Sequence, residues 1–138
     1  MNDTSVLAYI PQHPPFVMVD HVIEATPQRV ATRFTIKPSH LFVDNGFFTE
    51  SGLVENMAQT AAAGTGLVYA ADGRQVPTGY IGALKNLVIK ELPKVGDTIT
   101  TTIAFLHQVM NAHVVEGKIF IDDWEIASCE LKIFLQQN

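Results

Sequence analysis

Residues Ser51–Ala71 read SGLVENMAQTAAAGTGLVYAA, and the arrangement of the whole chain turns on this stretch. It is apolar or small nearly all round, lacks proline, and is long enough for about six helical turns. At about 100° per residue, Glu55, Gln59, Ala62 and Gly66 fall on one narrow face. Asn56, Thr60 and Ala63 lie on the neighbouring face, while Leu53, Met57 and Ala61 point away from Glu55. A helix with so few polar positions is built to be enclosed. Its small residues, Ala58, Ala61, Ala62, Ala63, Gly64 and Gly66, let other backbone approach closely. Gly64 and Gly66 each cost about 1 kcal/mol of helix propensity relative to Ala, which calls for a packing reason.

The flanking segments say what encloses it. FVMVDHVIEA has the β-branched richness of a strand, and RVATRFTIK alternates as its partner. PSHLFVDNGFFTE breaks period around Pro38 and Asn45-Gly46 and reads as a loop. The helix stops near Asp72-Gly73, and a loop runs through Pro77. GYIGALKNLVIKE, TITTTIAFLHQV, HVVEGKIFID and EIASCELKIFL then follow as strands, with turns at Pro93–Asp97, Asn111 and Asp122-Asp123. SVLAYI forms a short first helix closed by Pro11, Pro14 and Pro15. Strands grouped on either side of one long helix predict an α+β fold with an antiparallel sheet curled around that helix.

Length and composition bound the partners. The chain has 138 residues, 47% hydrophobic and 17% charged, which suits one domain spanning residues 1–138 with part of its surface covered by another subunit. A net charge of −5 and the lack of any basic run argue against nucleic acid or an anionic membrane surface. No segment approaches the ~20 apolar residues of a membrane span, and the N-terminus has no signal-peptide character. The single cysteine, Cys129, offers no internal staple, and no Cys/His cluster points to a metal. These features predict a cytoplasmic protein with neither metal nor cofactor.

Glu55 carries the chemical interest. A glutamate near a helix start is ordinarily solvated or part of a cap, and there the helix dipole favours its anion. Ser51 is followed three residues on by Val54, and Thr49 by Gly52, so no reciprocal capping box accounts for Glu55. A carboxyl facing a channel beside an enclosed helix serves as a proton carrier.

Three segments, IPQHPPFVMVDHVIE, GLVENMAQTAA and ELPKVGDTI, in this order and spacing, resemble the hotdog-fold 3-hydroxyacyl-acyl-carrier-protein dehydratases across nearly the whole chain. The resemblance implies a curled sheet around a central helix, a dimer as the minimal unit and an acyl tunnel at its interface. In that family the Glu of the E-x-M-A-Q helix is a catalytic acid/base. Glu55 takes that position, with Gln59 beside it. The family pairs this Glu with a His from the facing subunit, held in a Gly-His-Phe-Pro-Gly loop that is absent here. The corresponding HLFVDNGFFTESG is most similar to a divergent dehydratase-like branch encoded with aryl-polyene and related polyketide pathways. Some members of that branch serve as partners of a complete hotdog subunit.

Among the five histidines, His40 is the best candidate for a second proton carrier, fifteen residues before Glu55 and close to the family spacing. His13, in the proline-rich entry, is a weaker candidate for the substrate site. His21 reads as structural, and His107 and His113 as solvated residues flanking a turn. Asn45-Gly46 aligns with the missing Gly-His pair; an amide polarises a carbonyl but does not accept a proton at neutral pH. The backbone N–H groups near Ser51 and Gly52, at the helix start, suit the oxygen of a bound thioester.

Three functions fit this pattern: a dehydratase of 3-hydroxyacyl thioesters in fatty acid or polyketide and polyene biosynthesis, a thioesterase of the same fold, and a non-catalytic subunit completing an acyl tunnel. In the thioesterase the helix carboxylate activates water or attacks the thioester, and no His is obligatory. The implied partners are an acyl thioester on acyl carrier protein or coenzyme A, and a second copy or a second hotdog subunit.

Overall fold

A computed structural model of the chain describes residues 17–75 and 78–136. The expected first helix, His13 and the loop at Pro77 lie outside the described residues. The described elements run β1 (His21–Ala25), β2 (Arg29–Thr35), β3 (Val43–Asp44), β4 (Phe47–Phe48), α1 (Glu50–Ala71), β5 (Thr78–Ile89), β6 (Thr98–Val109), β7 (Ala112–Ile121) and β8 (Trp124–Gln136). Six strands form one sheet in the order β1-β2-β6-β7-β8-β5, with antiparallel neighbours throughout. The helix packs against β1, β2, β5, β6 and β7, so the sheet wraps it as the α+β reading expects.

The wrap follows from alternation. In β6, Ile99, Thr101 and Ile103 point inward, and in β8 Ala127, Cys129, Leu131, Ile133 and Leu135 do the same. From the helix, Leu53 and Met57 are fully buried and Ala61 nearly so. Each of these apolar side chains contributes about 1.5–3 kcal/mol of transfer free energy when buried, the alanines less. Gly64 sits so close to Val30 of β2 that a side-chain carbon there would collide with the Val30 methyls. That contact is the packing reason for a residue that weakens the helix.

Three expectations needed correction. Within FVMVDHVIEA the strand begins only at His21, and residues 17–20 lie before it, where Met18 bonds to Asn56 and Gln59 of the helix. PSHLFVDNGFFTE is not wholly loop: β3 and β4 pair across Asn45 (φ 52°) and Gly46 (φ 83°), the two positive φ angles of a tight hairpin turn. A two-residue strand is too short to show periodicity. His107 and His113 flank the β6–β7 turn as read, but only His107 is exposed. His113 is half-buried, edge-on to Phe105 with ring centroids 5.8 Å apart, and desolvation lowers its pKa.

Cys129 faces the helix, with its Sγ donating toward Met57 Sδ at 3.7 Å. Burial pushes the thiol up to about 11, so at pH 8 only about one thiol in a thousand is ionised. The folded protein is therefore expected to resist iodoacetamide at pH 8 and to react once unfolded in guanidinium. Rapid labelling of the native protein would show that the thiol is not buried. Among the described residues no helix is long and apolar enough to cross a membrane.

Candidate active site

The helix enters the site through a cap built by its own flanks. Thr49 is the N-cap, and its Oγ1 accepts the N–H of Gly52 at 3.2 Å. The chain just before it is pinned by Thr49 N–H to the Phe42 carbonyl (2.9 Å) and Phe48 N–H to the Pro93 carbonyl (2.8 Å). Gly52 is buried, and a side-chain carbon there would lie 2.7 Å from the Phe48 ring. The Gly52 N–H thus serves the cap and its missing side chain admits Phe48, whereas Ser51 is exposed in the first turn.

One turn further in, Glu55 is half-buried and Gln59 fully buried. Four-residue spacing stacks them on the helix face, and Gln59 Nε2 donates to Glu55 Oε2 at 3.1 Å. The Gln59 amide is oriented by main chain: its Oε1 accepts the Met18 N–H at 2.7 Å. Since a backbone N–H only donates, the oxygen must face Met18 and the NH2 must face Glu55. The amide is the deeper of the two groups and the carboxyl the shallower.

The neighbouring face carries a second polar set that the sequence reading did not assign. Asn56 Nδ2 donates to the Met18 carbonyl at 2.6 Å, and Asn56 Oδ1 accepts from Thr101 Oγ1 at 2.5 Å. Thr60 Oγ1 donates to the Asn56 carbonyl (2.8 Å) and lies 2.7 Å from Thr32 Oγ1. All of Thr32, Asn56, Thr60 and Thr101 are fully buried, where each polar group needs a partner. The available signal was weak: Asn56 and Thr60 are poor helix formers four apart in a helix otherwise rich in alanine.

His40 is half-buried among aromatic rings, with centroids 5.5 Å from Phe34, 5.7 Å from Phe48 and 6.1 Å from Phe42. Its Nδ1 accepts the Phe42 N–H at 3.1 Å, and its Nε2 lies 3.2 Å from the Val17 carbonyl. The two main-chain partners set the ring as the neutral tautomer protonated at Nε2. Asn45 and Gly46 are exposed at the β3–β4 turn, where the Gly46 carbonyl accepts the Val95 N–H at 2.9 Å. Among the described residues no three His, Cys, Asp or Glu side chains gather in a metal-binding group.

Comparison with known proteins agrees with this fold. The family model ApeP-like, described as ApeP dehydratase, matches residues 4–138. The 3-hydroxyacyl-[acyl-carrier-protein] dehydratase FabZ of Pediococcus pentosaceus is 25% identical over 137 residues, covering 95% of this chain and 90% of its own. The dehydratase heterocomplex ApeI:P from Xenorhabdus doucetiae superimposes with a TM-score of 0.91 at 17% identity, over 98% of this chain and 93% of that one. A hypothetical thioesterase with coenzyme A from Streptococcus pneumoniae aligns with a TM-score of 0.68 at 12% identity, over 86% and 89%. At these identities the solved structures speak for the fold alone, which is the hotdog fold.

Proposed function

This chain belongs to the ApeP-like dehydratase family, and from that membership we propose that it removes water from 3-hydroxyacyl thioesters with Glu55 as its carboxyl acid/base. The observation that carries the reading is the Glu55–Gln59 pair: a half-buried carboxyl at the shallow end of the helix face, held by an amide that can only donate to it. Elimination needs a base for the α-proton, an acid for the departing β-hydroxyl and a donor for the thioester oxygen. Glu55 gives its proton to the hydroxyl, which leaves as water. The main-chain N–H of Ser51, in the first turn of α1, is placed where a helix start favours developing negative charge on the thioester oxygen.

The α-proton goes to a second group. Both His40 nitrogens are engaged by main chain, which favours a histidine from a facing hotdog subunit with a complete Gly-His loop. The similar Xenorhabdus structure is a dehydratase heterocomplex, which supports the same assembly. β5 ends the sheet order and exposes Tyr80, Leu84 and Val88 along twelve residues. A long apolar edge strand is stable in solution when another strand covers it, so two sheets meet edge to edge. The carrier of the acyl group is acyl carrier protein or coenzyme A.

The test is a crotonyl-type thioester offered to the chain alone and with a second hotdog protein carrying the Gly-His loop. Hydration is expected with the pair and little or none with the chain alone. Release of free thiol by the chain alone would replace this reading with a thioesterase.

A further inference from the structure

We infer that His40 is a positioning residue for Glu55, acting through the Val17–Met18 peptide and the Gln59 amide. This rests on Glu55 being the acid/base proposed above. The links share one direction. The Phe42 N–H occupies Nδ1, so the ring proton is on Nε2 and is donated to the Val17 carbonyl at 3.2 Å. That carbonyl belongs to the same peptide group as the Met18 N–H, which donates to Gln59 Oε1 at 2.7 Å. Gln59 Nε2 then donates to Glu55 Oε2 at 3.1 Å.

Every dipole in the chain from His40 to Glu55 points the same way, so each bond polarises the next, strengthening it by about 10–30%. Nothing in it is free to invert: reversing Gln59 would set its NH2 against the Met18 N–H. The next peptide along is anchored as well, because Asn56 Nδ2 donates to the Met18 carbonyl at 2.6 Å. Phe34, Phe42 and Phe48 fix the imidazole plane. His40 thus fixes which way the Gln59 amide meets the carboxyl, and with it the orientation of Glu55. A proton carrier needs a nitrogen facing the substrate; both His40 nitrogens face main chain.

Two variants separate positioning from proton transfer. His40→Gln keeps an amide N–H for the Val17 carbonyl but carries no proton at neutral pH. His40→Phe fills the space between the rings and donates nothing. In the complex that shows dehydration, His40→Gln is expected to stay within about tenfold of the parent turnover. His40→Phe is expected to lose about 10²-fold in kcat with KM little changed, the scale of a misplaced catalytic group. The Gln59 side-chain amide resonances should move in His40→Phe and hold in His40→Gln. Loss in His40→Gln as deep as in His40→Phe would make His40 the proton carrier and overturn the inference. Unmoved Gln59 resonances in His40→Phe would overturn it equally. Should His40→Phe not fold, nitrogen-15 spectra of the parent protein decide: protonation at Nδ1 in the neutral ring would break the chain at its first link. The spectra need no turnover, so failure of the dehydratase reading is seen separately in the thioester assay.

Discussion

Glu55→Gln is expected to lower thioester turnover by about 10²–10⁴-fold, the usual loss when a general acid/base is removed, while the fold stays intact. The substitution is nearly isosteric. The new amide can turn its oxygen toward Gln59 Nε2, which now donates to Glu55 Oε2 at 3.1 Å, so the helix face keeps its hydrogen bond. What is lost is the proton, because an amide neither gives nor takes one near neutrality. The measurement is dehydration of a 3-hydroxyacyl thioester by the assembled complex, beside a thermal melt of each protein. Full turnover with an unchanged melt would remove Glu55 from the reaction. It would leave the chain as the subunit that only completes a tunnel.

Asn56→Leu is expected to be the most destabilising single change near the site, by about 3 kcal/mol or more. The amide joins three elements: it donates to the Met18 carbonyl at 2.6 Å and accepts from Thr101 of β6 at 2.5 Å. Leucine has the same branching and number of side-chain heavy atoms but bulkier methyls, so no cavity is left and crowding adds to the lost hydrogen bonds. Each buried group left without a partner costs about 1–3 kcal/mol, and two are left here. For a domain of this size the melting temperature should fall on the order of 10 °C. The exposed Arg29–Glu24 pair, 3.0 Å apart, gives the contrast, since surface ion pairs contribute about 0–1 kcal/mol. Were Asn56→Leu to melt within the shift caused by Glu24→Ala, the buried network would not be what fixes the Met18 segment.

The helix, the succession of longer strands along the chain and the Glu55–Gln59 stripe were legible in the sequence because each rests on short-range regularity. Small and apolar residues at helical spacing gave Ser51–Ala71, one residue short of the observed start at Glu50. Alternation gave β6, β7 and β8 almost to their ends. Four-residue spacing put Gln59 beneath Glu55, as it stands.

The sequence left Asn56 as one more residue on a helix face, His40 as a loop histidine near the right spacing, and Gln59 with two ways to point its amide. Tertiary structure decided all three. The partner of Gln59 lies 41 residues away, those of Asn56 lie 38 and 45 away, and the Val17 carbonyl lies 23 from His40. Hydrogen bonds over such distances leave no periodic trace, and most of these acceptors and donors are main-chain groups, which carry no residue identity. Local sequence therefore sets which faces are apolar and where a carboxyl stands. Only the closure of the sheet around the helix brings Met18 between Asn56 and Gln59, and buried polar groups then take the one orientation that satisfies them all.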